Sequence, residues 1–238
     1  MGEIHPHTIL AVDERPLCVW SHKLQEENLR FCEGLDPDWF VEGLRIQLES
    51  IAEDEQELPQ AIALQARFVY HHALETFLAL LFASFQAPQC LPAWLAHYQV
   101  GDLRSLTEKV SRGAPILNAW GTPRPSWKDF AVMFCHPAAL EEGEDRDGTI
   151  NGFSKAWGRL ANEFIEDKSR AEYNNLKHGF RASPGGSALR VGLEPSYGVS
   201  PPPEQMHLVG GATHGSSFFI TQPIPKDAKP RKAVHFTL

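Results

Sequence analysis

The chain has 238 residues, 42% of them apolar and 22% charged, and a net charge of −8 from 22 basic and 30 acidic side chains. That composition supports a buried core and excludes a disordered or fibrous chain. The acidic balance argues against a protein that coats DNA or RNA wholesale, yet leaves room for a small basic site.

The most apolar stretch, 73–83, is interrupted by Glu75 and Thr76 and falls short of the ~18 residues a membrane span requires, so no membrane partner is expected. The first residues, Met1 to His7, lack the basic start and apolar segment of a secretory leader. Cys18, Cys32, Cys90 and Cys135 form no C-x-x-C pair, which fits reduced thiols in a cytoplasm better than a disulfide framework or a zinc site. No P-loop, dinucleotide fingerprint or serine-nucleophile motif is present, so no cofactor and no metal is expected.

In chain order, residues 8–12 read as a short strand ended by Asp13 and Pro16. Asp36-Pro37-Asp38 reads as a cap for a helix carrying Phe40, Leu44, Leu48 and Ile51. An acidic run, 53–57, follows as a solvated loop. Pro59 opens the strongest helix, 59–86, which Pro88 closes. Leu103, Leu106 and Val110 predict a shorter helix ended by Gly113. The segment 113–147, broken by Pro115, Pro123, Pro125 and Pro137, reads as a long connection with one short helix at 126–134. A second long helix is expected from Thr149, as N-cap, to His178, with Gly179 as the stop.

After Ser183 the composition shifts: residues 183–238 hold eight prolines and seven glycines, against 21 of both in the 182 residues before them. Strand-like pieces recur there at 188–191, 207–209, 217–220 and 233–236, and the N-terminal strand is a candidate to join them. The expected fold is therefore mainly α: a helical bundle with two long core helices and a small β-rich C-terminal extension. The division falls at 182, with a helical domain (1–182) and a Pro/Gly-rich β extension (183–238) packed on it.

Helical phase picks out the candidate site. On the helix from 59, His71 and Glu75 fall in the middle of the stripe formed by Leu64, Phe68, Leu78 and Phe82. A buried, unpaired carboxylate costs several kcal/mol, so Glu75 should pair, with His71 one turn away or with Arg170, Lys177 or His178 across the interface. If the second helix is unbroken, Arg170, Asn174, His178 and Arg181 share an arc of about 80° at the edge of the stripe of Ile150, Phe153, Trp157, Leu160 and Phe164. Two readings stand side by side. One is a structural network of Glu75, His71 and Arg170 that fixes how the helices dock. The other is a cleft in which Arg170, Asn174 and His178 face a ligand and Glu75 orients them.

The segment Arg170-Ala171-Glu172-Tyr173-Asn174-Asn175-Leu176-Lys177-His178-Gly179 resembles the last-helix signature of the HEPN superfamily of helical bundles: an arginine, four to six residues, then a histidine. Here seven residues intervene. The helix carrying His71, His72 and Glu75 resembles the central helix of such bundles. The resemblance implies RNA binding or metal-independent ribonuclease activity, in bacterial stress or defence, by a homodimer whose signature helices face each other. It implies His178 as general acid or base, Arg170 as the phosphate ligand and Asn174 as the group that orients His178 or the phosphate, with Lys177 and Arg181 adding positive charge. The alternative is a non-catalytic helical protein that dimerises or binds a partner.

Overall fold

The computed structural model describes residues 7–12, 15–21, 25–49, 51, 59–88, 90–116, 124–135, 145–179, 181–212, 214–223 and 231–237. Its elements follow as β1 (His7–Val12), β2 (Arg15–Ser21), α1 (Gln25–Glu33), α2 (Trp39–Glu49), α3 (Gln60–Gln86), α4 (Leu91–His97), α5 (Val100–Ser111), α6 (Trp127–Cys135), α7 (Arg146–Ile165) and α8 (Asp167–Lys177). Five strands complete the chain: β3 (Ala182–Pro184), β4 (Ser187–Val191), β5 (His207–Ala212), β6 (Ser216–Pro223) and β7 (Arg231–Thr237). The protein is mainly α, with its larger β region at the C-terminal end. The elements form two compact units that are discontinuous in sequence: residues 1–37 with 72–167, and residues 38–71 with 168–238.

The first unit is built on the later part of α3, where Leu78 and Phe82 are fully buried. The Phe82 ring meets Phe130 of α6 edge-on at 5.6 Å, and Phe77 lies 5.8 Å from Trp157 of α7. Leu103, Leu106 and Val110 of α5 are buried at the spacing that predicted the helix, and Gly113 (φ +64°) ends the segment in the left-handed conformation glycine tolerates. Trp94 of α4 is fully buried and its indole N–H donates to Gln86 Oε1 at 2.8 Å, so the ring is packed without stranding its polar atom. By length and composition α3 could cross a membrane, and 44% of its most apolar window is buried within the protein. That combination equally describes the central helix of a helical core.

The second unit contains α2, the first part of α3, α8 and the C-terminal strands. β6 is the middle strand of an antiparallel sheet ordered β3-β6-β7, and it turns Ser216 and Phe218 into the interior. β4 and β5 form a separate two-stranded ribbon.

Four expectations change. The N-terminal strand pairs with β2, not with the C-terminal sheet. Pro16 does not end the β structure; it sits opposite Ala11 beside an irregularity in register, in a ribbon where every strand is an edge and a missing N–H is tolerated. α2 starts at Trp39 and buries none of its residues. The second long helix is two helices. It begins one turn early, because the Asp145 carboxylate, not Thr149, caps it by accepting from Gly148 N–H at 2.9 Å. It then breaks at Glu166, whose backbone is extended (ψ 133°).

A side chain of α5 bridges the break. The Arg104 Nη2 donates to the carbonyl of Ile165, the last residue of α7, and to Asp167 Oδ1 at 3.0 Å, the first residue of α8. A guanidinium that satisfies the orphan carbonyl of one helix and the leading carboxylate of the next offsets the loss of helical hydrogen bonds between them. Replacing Arg104 by Met, which keeps the apolar stem, is expected to cost about 1–3 kcal/mol in chemical denaturation, the range for losing hydrogen bonds to a charged group.

Candidate functional site

The break at Glu166 resets the phase of everything after it, so α8 has its own buried face. Ser169, Glu172 and Tyr173 lie on it, with Leu176 half-buried, at the i, i+3, i+4, i+7 spacing of a helix packed on one side. The predicted site residues occupy the other side. Arg170, Asn174 and His178 are all exposed, one turn apart, and Lys177 and Arg181 are exposed beside them. They therefore do not continue the helical phase of α7, as an unbroken helix would require. α8 ends at Lys177; His178 donates its backbone N–H to Asn175 O at 3.3 Å, and Gly179 (φ +68°) turns the chain away. The Lys177 ammonium sits 3.9 Å above the Tyr173 ring.

Behind that face lies a buried polar network. Glu172 is fully buried and its carboxylate accepts from four donors. Arg67 grips it through Nε at 3.1 Å and Nη2 at 2.5 Å, His71 donates from Nε2 at 2.9 Å, and Ser216 donates from Oγ at 2.5 Å. Arg67 and His71 are four residues apart on α3 and so reach the same carboxylate. The other face of the network is aromatic: the His71 ring stacks on Tyr173 at 5.3 Å, and Phe68 lies 6.3 Å from the same ring. Burial alone would raise the pKa of Glu172. The hydrogen bonds from His71, Arg67 and Ser216, with the Arg67 charge, outweigh it and hold the group at about 2.

His71 and Glu75 are both buried, as their place in the stripe required. Their partners differ from those expected. The acid bonded to His71 is Glu172, and the guanidinium in that network is Arg67, where Glu75 and Arg170 had been expected. Glu75 lies in the first unit, where its Oε1 accepts from the Tyr98 hydroxyl at 3.2 Å. Burial and the Glu75 carboxylate push the Tyr98 hydroxyl far up, so it stays protonated and able to donate. Arg67, Glu172, Ser216 and Tyr98 were missed in the sequence. For Glu172 a signal existed: it is the charged member of the Ser169-Glu172-Tyr173-Leu176 pattern, visible once α8 is read separately from α7.

Among the described residues no three His, Cys, Asp or Glu side chains converge to hold a metal ion. No family model matches the chain, no curated protein matches its sequence, and no solved structure matches its fold.

The lowered pKa of Glu172 fixes a pH dependence. Its contribution to stability is complete above the ordinary carboxylate range and is lost as pH falls from about 5 toward 2; the full effect is about 3 kcal/mol. Glu172→Gln should lower stability at neutral pH and remove this component of the acid limb. The measurement is the wild-type-minus-variant difference in unfolding free energy, taken at intervals between pH 7 and pH 3.

Proposed function

We propose that the outer face of α8 is a phosphate-binding surface, and that the protein is a HEPN-like RNA-binding or metal-independent ribonuclease domain acting in the cytoplasm in bacterial stress or defence. One observation carries this reading: Arg170 and Asn174 stand exposed one turn apart on α8, with His178 exposed four positions further on, just past its end, while the opposite face of the helix is clamped by Glu172. Rigid backing keeps a guanidinium, an amide and an imidazole in register, as a site that positions a phosphodiester requires. Lys168, Lys177 and Arg181 add positive charge, and the one acid within 168–181, Glu172, faces inward onto Arg67. The outer face is thus locally basic in an acidic chain.

In this reading Arg170 holds the phosphate through paired N–H donors and stabilises charge as it develops. Asn174 orients the phosphate or the imidazole. His178 moves the proton, as general acid or base. Cleavage by a neighbouring ribose hydroxyl needs a base on one side of the phosphorus and an acid on the other, and this face offers one imidazole. A homodimer that apposes two such faces supplies both.

A second reading, a non-catalytic helical protein that dimerises or binds a protein partner, draws support from α2. That helix leaves Trp39, Val41 and Ile46 more than half exposed. Under it the Glu172 network is purely structural and RNA is ignored.

The test is incubation of the purified chain with a mixed RNA pool in EDTA. Cleavage that persists in EDTA and disappears in His178→Ala, with the melting temperature unchanged within a few degrees, supports the ribonuclease reading. RNA shifted but uncut, with Arg170→Ala weakening binding about tenfold or more (about 1.4 kcal/mol), supports RNA binding alone. RNA both intact and unbound overturns both and leaves the partner-binding reading.

A further inference from the structure

The β4–β5 ribbon has the composition of a packed strand pair and the exposure of a surface loop. Every residue of β5 is exposed. Leu189 and Val191 on β4, and Leu208 and Val209 on β5, are each between 57% and 63% exposed. Among the described residues each strand pairs only with the other, so both outer edges are open. An isolated two-stranded ribbon is marginally stable in water and gains from a further strand.

The segment linking the strands is built to a definite shape. The Glu194 carboxylate accepts from Gly198 N–H at 3.0 Å, Gly198 takes φ +77°, Ser196 and Val199 bridge, and Arg190 donates to the Pro203 carbonyl at 3.1 Å. An ordered arm with open edges and bare apolar side chains is an interaction surface.

Its chemistry selects the partner. β5 carries no Lys, Arg, Asp or Glu, and β4 carries Arg190 alone. A nucleic acid, which is bound through phosphate charge, finds nothing here to hold it. Size complementarity points to a second copy of this chain. β5 is bulky in its first half, His207-Leu208-Val209, and bare in its second, Gly210-Gly211-Ala212. Nothing lies within 4 Å of the position a Cβ on Gly210 would take.

An antiparallel pair related by a two-fold axis perpendicular to the sheet must bring some residue opposite its own counterpart, because side chains alternate between faces. Centred on Gly210, that pairing sets Val209 against Gly211 and Leu208 against Ala212, in both directions. Each bulky side chain meets bare backbone, and no like charges meet. We infer that the protein associates with a second copy of itself by edge-to-edge antiparallel pairing of β5 about Gly210, joining two ribbons into one four-stranded sheet.

Such a pairing buries on the order of 1,000 Å² in total, at the small end of specific interfaces, where association is reversible. The inference is independent of the α8 reading, and its test uses no RNA. Sedimentation velocity of the full chain from ~1 to ~200 µM should show a monomer–dimer equilibrium in that range. Gly210→Lys, which places bulk and two like charges on the axis, should weaken it ~100-fold or more while leaving the helical circular dichroism intact. Gly210→Cys should form an intermolecular disulfide on mild oxidation, beyond any seen in the wild-type chain, since directly opposed residues lie at about 4.5–5.5 Å between Cα atoms. The cysteine variant adds little bulk and no charge, so it decides the matter even where the lysine variant fails to fold. A wild-type chain that stays monomeric throughout, or a dimer that forms without the Gly210 cross-link, overturns the proposal.

Discussion

The second unit depends on one carboxylate. Glu172 has no exposed surface, and an ion in that position is tolerated only when donors surround it. Arg67, His71 and Ser216 provide them, and they come from α3 and β6, so a single side chain on α8 ties together a long helix, a short helix and the middle strand of a sheet. Apolar packing alone would let α8 rotate or slide; a carboxylate that must meet a bidentate guanidinium, an imidazole and a hydroxyl at once fixes both its rotation and its height. The outward direction of Arg170, Asn174 and His178 follows from that constraint. They face solvent because Ser169, Glu172 and Tyr173 face in.

The first unit is organised differently. Its core is aromatic and aliphatic, with Phe82, Trp94 and Phe130 buried almost completely. Among its buried polar groups, Asn28 donates to the Cys90 sulfur at 3.2 Å, and Tyr98 to Glu75, while Gln86 Nε2 and Arg104 Nη1 are buried without a partner among the described residues. Arg104 sits where α7 gives way to α8 and holds both sides of the gap. Where α7 ends and α8 begins its own phase, the gap is held by a side chain some sixty positions earlier in the chain (Arg104 to Ile165, a separation of 61).

What could be read from the sequence tracks how local its cause is. α3 and α5 were legible because prolines bracket one and a glycine ends the other, with apolar residues at helical spacing between. The four C-terminal strands at 187–191, 207–212, 216–223 and 231–237 were legible to within a few residues from their β-branched and aromatic runs. α1 was not, because Gln25-Glu26-Glu27-Asn28 shows no apolar stripe; what anchors it includes Asn28 bonded to a buried cysteine sulfur. α4 is seven residues long and starts with a proline at its second position, too short for periodicity to register. The burial of His71 and Glu75 was legible from phase alone. The identity of their partners was not, because it depended on the Glu166 break, which no residue near 166 announces.

The Arg67–Glu172 contact spans 105 positions of chain, and the Ser216–Glu172 contact a further 44. Synthesis at about 5–20 residues per second therefore delivers the guanidinium roughly 5–20 s before its acid, and the serine hydroxyl a few seconds later still. Throughout that interval the front of α3 has no carboxylate to receive it, although the residues that follow it can already begin assembling the first unit. The nascent chain thus waits for Glu172 and then Ser216 before Arg67 and His71 can meet their acid, and a protein arranged this way closes its second unit only after β6 has been made.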